Sequence, residues 1–271
     1  MKTRRSLYLV KAPPSNSSTQ LFCSKLHQSP KISCSILFTM APLAVHFVRH
    51  AEGYHNSENN ENIPDPDLTS KGREQCEHIA KIFPFFDRID LVCASPIRRA
   101  IQTAMISMEP YLQCGKRQIL VLPLAQEATA KPANTPSDIN RLKGEFGDVA
   151  NFHRCLDTYT DYNTKQGRWA PDGTSLETRA LELRRFLRDR EEEEVVVASH
   201  GDFLHYVTGE INDDGTQAKG WWQNTEFRSY RFFPVGHNDA LLQETEESVK
   251  MRDASGPGEE KGSNKTSKTD A

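Results

Sequence analysis

Leu43-Ala44-Val45-His46-Phe47-Val48-Arg49-His50 is the stretch that decides how the rest of the chain is read. Six residues, nearly all apolar, run into an arginine and a histidine. An apolar run this short, bounded by polar residues, has the length of a strand buried on both faces. Two further runs end in the same way. Ile89–Ala94 leads into Ser95-Pro96, and Val195–Ala198 leads into Ser199-His200-Gly201. A fourth run, Gln118–Leu122, is stopped by Pro123.

Helical patterns fall between these runs. Thr69 stands as N-cap to a helix with Cys76, Ile79, Ala80 and Phe83 on one face and Pro84 at its end. Ser95-Pro96 opens a second helix, running to about Met108. Thr174-Ser-Leu-Glu177 matches a capping box ahead of the stripe Leu176, Ala180, Leu183, Leu187. A helix follows from about Asp202 to Thr208, and Glu226–Phe233 reads as an edge strand. Between Leu124 and Gly173 the pattern weakens to turns and one or two short helices. Strands alternating with helices specify an α/β fold: a three-layer αβα sandwich around a mostly parallel, Rossmann-like sheet. Ligands of such sheets gather at the carboxyl ends of the strands, where Arg49-His50, Ser95 and Ser199-His200 converge.

Composition sets the boundaries. Residues 1–40 hold six basic residues and no acid, are rich in Ser, and contain no run long enough to cross a bilayer. Two readings fit them: a transit peptide directing mitochondrial import, or a disordered extension ahead of Met40 in a cytoplasmic protein. All 37 acidic residues and 28 of the 34 basic ones lie in 41–271, leaving about −9 there, which speaks against nucleic acid as a partner. From 248 to 271 apolar content is too low to order a chain. The folded domain is therefore expected over 41–247. The six cysteines show no CxxC pair and read as free thiols.

The residues at the strand ends suit phosphoryl chemistry. A neutral imidazole is a competent nucleophile near neutral pH, and positioned guanidiniums grip phosphoryl oxygens. A metal site is not expected. His50/His55 and His200/His205 are five residues apart, where a helical two-histidine zinc motif needs four, and no Cys or carboxylate cluster completes a ligand set. His46 shares a strand face with His50 and reads as a core histidine.

Four segments in order resemble the histidine phosphatase superfamily, which includes the cofactor-dependent phosphoglycerate mutases. Val48-Arg-His-Ala-Glu-Gly-Tyr-His-Asn56 resembles the family's Arg-His-Gly-Glu-x-x-x-Asn, with Ala51 in place of Gly. Leu68-Thr69, Gly72 and Gln75 resemble the signature of its first helix; Ser95-Pro-Ile-Arg-Arg-Ala100 and Ser199-His-Gly201 complete the set. The resemblance implies that His50 is the phosphorylated nucleophile, that Arg49, Asn56, Arg99 and His200 bind phosphate, with His200 also supporting the transition state, and that Glu127 donates and accepts the proton. Asn56 on this reading contacts either the phosphate or the loop that holds it. Arg99, directly before the alanine, is preferred to Arg98. Pro132-Ala-Asn-Thr-Pro136 is similar to a Pro-Cys-Asp-Thr-Gly stretch of fungal mutase-like members, departing at Ala133, Asn134 and Pro136.

The expected function is a metal-independent phosphomonoesterase acting on a small phosphorylated substrate, with no cofactor and no membrane partner. A mutase of the same family and a non-catalytic binding module on the same fold are the alternatives. The mutase motif around Glu127 is missing, and all four of Arg49, His50, Arg99 and His200 are present. Arg168 is expected as a clamp on a substrate anion. Trp169 is expected either to cover the substrate or to pack the loop onto the core.

Overall fold

A computed structural model of the chain describes residues 41–211, 220–233 and 239–255. The expected leader, 1–40, and residues 256–271 of the expected tail lie outside the described residues. In chain order the elements are β1 (Ala44–Arg49), α1 (Tyr54–Ser57), α2 (Ser70–Ile82), β2 (Leu91–Ala94), α3 (Arg98–Ser107), α4 (Glu109–Leu112), β3 (Ile119–Val121) and α5 (Ile139–Phe146). Then follow β4 (Ala150–Asn151), α6 (His153–Asp157), α7 (Gly173–Arg188), β5 (Glu194–Ser199), α8 (Gly201–Thr208), β6 (Phe227–Phe232), β7 (Leu242–Glu244) and α9 (Glu246–Ser255).

The strands form one sheet in the order β4-β3-β2-β5-β1-β6-β7. Neighbours from β4 to β1 are parallel, and β6 and β7 are antiparallel. With helices flanking it, this is the expected αβα sandwich. β5 explains why the pattern was readable. It lies between β1 and β2, and all six of its residues, Glu194 to Ser199, are buried. A strand covered on both faces needs a continuous apolar run rather than an alternating one.

Register delivers the site. Arg49 pairs with Ser199, and Ala94 with Ala198. The next amides continue the ladder: His50 N donates to Ser199 O at 2.9 Å, and Ser95 N to Ala198 O at 3.0 Å. Three adjacent strands therefore release Ser95, His200 and His50 at one level of the sheet's edge.

Four expectations are corrected. β6 is interior, because β7 pairs along its outer side. The N-cap of α7 is Asp172, whose carboxylate accepts from Ser175 N at 3.0 Å, so the Thr174 capping box does not form. Two-residue β4 gave no sequence signal but extends the sheet beyond β3. Ordered structure also runs past 247. Helix α9 reaches Ser255, with Met251 packed against the core and with polar ties: Ser248 Oγ accepts from Ser229 N at 3.0 Å, and Arg252 pairs with Glu244 at 2.9 Å.

Cys76, Cys93, Cys114 and Cys155 are free thiols. Burial pushes Cys76 up to about 11 and Cys155 up to about 12, which keeps both as unreactive thiols. His46 is a satisfied core histidine, between Ser229 Oγ at 2.7 Å and Glu194 Oε2 at 2.6 Å. Among the described residues no helix is long and apolar enough to cross a membrane.

Candidate active site

His50 follows β1 and is buried. Its Nδ1 lies 2.8 Å from the Ala51 carbonyl oxygen, an atom that only accepts. Nδ1 therefore carries the hydrogen, and the lone pair is on Nε2. Burial, and after it the charges of Arg99, His200 and Arg49, hold the imidazole well below its ordinary range. The ring is neutral at physiological pH.

His200 is oriented by opposite logic. Arg99 Nη2 donates to its Nδ1 at 3.1 Å, so Nε2 carries the hydrogen and donates to Ser95 Oγ at 2.9 Å. Its ring centroid is 5.1 Å from that of His50. Burial and the same Arg99 charge keep it neutral too.

Arg99 is fully buried, and its guanidinium also donates to the Ala133 carbonyl and, at 2.8 Å, to Asn134 Oδ1. Arg98 turns away and binds Glu145 at 2.7 Å and Asp67 at 2.9 Å. The choice between the two arginines is thus made by partners. Arg49 reaches the Trp222 carbonyl, and a side chain at Gly201 would meet its Nε at 3.3 Å. Arg49 Nε and Arg99 Nε are buried without a hydrogen-bond partner among the described residues. Unspent donors of this kind beside a buried imidazole suit an anionic ligand.

The Leu68–Gln75 motif forms the frame of the loop that follows His50. Gln75 Oε1 accepts from Glu52 N at 2.9 Å, Thr69 N donates to Glu52 O at 3.0 Å, and Thr69 Oγ1 caps α2 by accepting from Gly72 N at 3.0 Å. Gly72 is required for room: a Cβ there would sit 2.1 Å from Glu52 O. Thr103 Oγ1 accepts from Ala51 N at 3.0 Å, and Asn224 donates to His50 O at 2.9 Å.

Asn56 is exposed, and its carboxamide oxygen accepts from Gly53 N at 3.1 Å. Of its two expected contacts, the structure shows the one to the loop. The side chain beside the nucleophile is instead His55, buried, its ring 5.6 Å from that of His50 and pushed down to about 2 by burial and the charges of Arg99 and Arg49.

Glu127 reaches the site. Its Oε1 accepts from Ala128 N at 2.7 Å and from Phe203 N at 3.1 Å, in the first turn of α8. Two cations that the sequence reading missed converge on its backbone oxygen: Lys165 Nζ at 3.2 Å and Arg179 Nη2 at 3.3 Å. Arg179 had a visible signal, since it falls on the buried stripe of α7 with Leu176, Ala180 and Leu183. Its guanidinium lies over the Phe203 ring at 4.1 Å. Lys165 had none.

Arg168 and the covering role for Trp169 are corrected. Arg168 lies on the surface and pairs with Glu182 at 3.1 Å. Trp169 is fully buried, with Nε1 donating to Asp161 at 3.0 Å, so it packs the loop on the core. Among the described residues no group of three or more His, Cys, Asp or Glu gathers as a metal site.

Residues 45–232 match the model of the histidine phosphatase superfamily, branch 1. The chain belongs to that family. A probable phosphatase of Schizosaccharomyces pombe is 29% identical over 109 residues, covering 38% of this chain and 49% of the relative, so the chain spans about half of that relative's length. A phosphoglycerate mutase-like protein of Arabidopsis thaliana is 25% identical over 203 residues, 63% of this chain and 75% of the relative. Among solved structures, one described as mycobacterial hydrolase 1 superposes with a TM-score of 0.49 at 15% identity, over 74% of this chain and 96% of that one.

Proposed function

We propose that the chain is a metal-independent phosphomonoesterase that passes the phosphoryl group through His50. The observation that carries this reading is the His50 tautomer. Nδ1–H is spent on the Ala51 carbonyl, so the Nε2 lone pair is free in a site whose neighbours are two guanidiniums with unspent donors. In the first step Nε2 attacks phosphorus, the P–N bond forms, and the bond to the leaving oxygen breaks. Arg49 and Arg99 balance the charge on the equatorial oxygens. His200, pinned between Arg99 and Ser95, keeps the Arg99 fork in place. In the second step water attacks phospho-His50 and the electron pair returns to Nε2.

Hydrolysis is favoured over mutase transfer by the sequence around Glu127, which is not embedded in a mutase-type motif.

The test is turnover of 4-nitrophenyl phosphate with excess chelator, together with trapping of an acid-labile phosphoenzyme. Wild-type activity that survives chelator, and a loss on the order of 10⁴-fold or more in His50→Ala, is the expected result. Activity that chelator abolishes, or that His50→Ala retains, contradicts the proposal. Transfer of the label to a second substrate hydroxyl rather than to water would make the chain a mutase.

A further inference from the structure

His50 and His200 are placed by strand register, but Glu127 lies beyond the end of β3, in a segment that is neither helix nor strand. Groups from elsewhere in the fold hold it. Its Oε1 accepts from Ala128 N at 2.7 Å and from Phe203 N at 3.1 Å. Among the described residues no donor reaches Oε2, so that oxygen is left to carry a proton. The backbone oxygen of Glu127 accepts from Lys165 Nζ at 3.2 Å and from Arg179 Nη2 at 3.3 Å.

Arg179 does more than Lys165. Its guanidinium also lies over the Phe203 ring, 4.1 Å from the centroid. It therefore grips Glu127 by two handles: the backbone oxygen directly, and the carboxyl through the residue whose amide binds it. Space-filling does not account for this side chain. Arg179 stands on the stripe of α7 that buries Leu176, Ala180 and Leu183, and is 1% exposed. Its Nε and Nη1 are buried without a hydrogen-bond partner among the described residues. Burial pushes the guanidinium down to about 9, against the charge of Glu127. An apolar side chain packed at such a position is commonly as stable or more so. What an apolar side chain could not do is hold the Glu127 backbone.

We propose that Arg179 is the positioning residue for Glu127, fixing the carboxyl that serves the leaving oxygen. This rests on the phospho-His50 reading, with Glu127 as the proton carrier that the family resemblance implies. As Nε2 bonds to phosphorus and the P–O bond breaks, the Glu127 proton passes to the departing oxygen, giving an alcohol and a carboxylate. The carboxylate takes a proton from water as it attacks phospho-His50, giving inorganic phosphate and restoring the acid. Arg179 touches none of the reacting atoms. It keeps Oε1 on the first turn of α8 and leaves Oε2 for the proton.

Two aryl phosphates test it in the full chain. Nitrophenolate departs without a proton, whereas the phenolate of phenyl phosphate leaves far better with one. Glu127→Gln is expected to lower kcat for phenyl phosphate roughly 10²-fold and for 4-nitrophenyl phosphate under about tenfold. Arg179→Met should show the same split, with a fall of roughly 10- to 10²-fold on phenyl phosphate, and Arg179→Lys should restore part of it. The double variant should be no slower on phenyl phosphate than Glu127→Gln by more than about twofold, since both changes remove one function. Phe203→Leu, which keeps the amide but removes the ring under the guanidinium, should give the same split in smaller measure, and reads the contrast if Arg179→Met does not fold. A nitrophenol burst equal to the enzyme concentration in the variants would show that His50 is still phosphorylated. Equal falls on both substrates in folded Arg179→Met or Phe203→Leu, or a double variant slowed by the full product of the single losses, would overturn the proposal while leaving Glu127 as the acid. Equal falls in Glu127→Gln itself would remove the acid that Arg179 is argued to position. A wild-type chain that moves no phosphoryl group to His50 from either substrate removes the phosphatase reading and this one together.

Discussion

The loop after β1, residues 49–75, and the segment 124–179 that carries Glu127 flank the same site, yet they are held differently. The backbone next to His50 is fixed by neutral hydrogen bonds: Gln75 to Glu52, Thr69 to Gly72, Thr103 to Ala51. The Glu127 segment is fixed by buried charge. Lys165 and Arg179 both crowd its carbonyl, and two nitrogens of Arg179, Nε and Nη1, are buried without a partner among the described residues. The three bonds of the first arrangement join groups that do not titrate. The second places cations where burial penalises them, so it responds to protonation.

Arg99 belongs to both regions, because its backbone oxygen accepts from Thr103 while its guanidinium reaches Ala133, Asn134 and His200. Arg99→Ala keeps the backbone oxygen but removes the guanidinium, and should lower kcat/KM by about 10²- to 10³-fold, while Arg98→Ala, which loses the ties to Glu145, Asp67 and the Asp65 carbonyl, should lower thermal stability with far less effect on turnover. Steady-state kinetics beside a melting curve separates the two.

Gly72→Ala attacks the loop alone. The new Cβ meets a backbone oxygen at 2.1 Å, so the loop must shift. A stability loss of about 1–3 kcal/mol is expected with a roughly tenfold fall in kcat, read from urea denaturation and turnover.

Lys165→Met attacks only the charged segment, and its signature is a slope. Burial and Arg179 push the Lys165 ammonium from 10.5 down to about 7. Between those values the unfolded chain carries a proton that the folded chain does not, so stability contributed through this group rises with pH from about 7 to 10.5. Denaturation midpoints of wild type relative to Lys165→Met should therefore climb between pH 7 and pH 10. A constant difference would show that Lys165 keeps its proton when folded.

The same contrast explains what could be read from the residues. His50, Arg99 and His200 were legible because each follows a strand end or opens a helix, so local pattern gives both position and neighbours. β5 was legible for the same reason, as a buried strand needs an unbroken apolar run. Lys165 was not, because its partners Glu127 and Arg179 are brought to it only by the fold. Asn56 was read as touching phosphate or the loop, and only the fold showed which contact forms. Helix α9 escaped a composition argument because a single apolar side chain, Met251, and polar ties to Ser229 and Glu244 hold it.

The pairing of β1 with β5 has a consequence for how the protein comes into being. Ala44 must wait for Glu194, and Arg49 for Ser199, before the sheet closes at its centre. His50 also takes a bond from Asn224, later still in the chain. Parallel pairing over such separations is a slow, late event in folding. On a translating ribosome His50 leaves the tunnel long before its partners exist, so the site is complete only once β6 has followed β5 into the sheet.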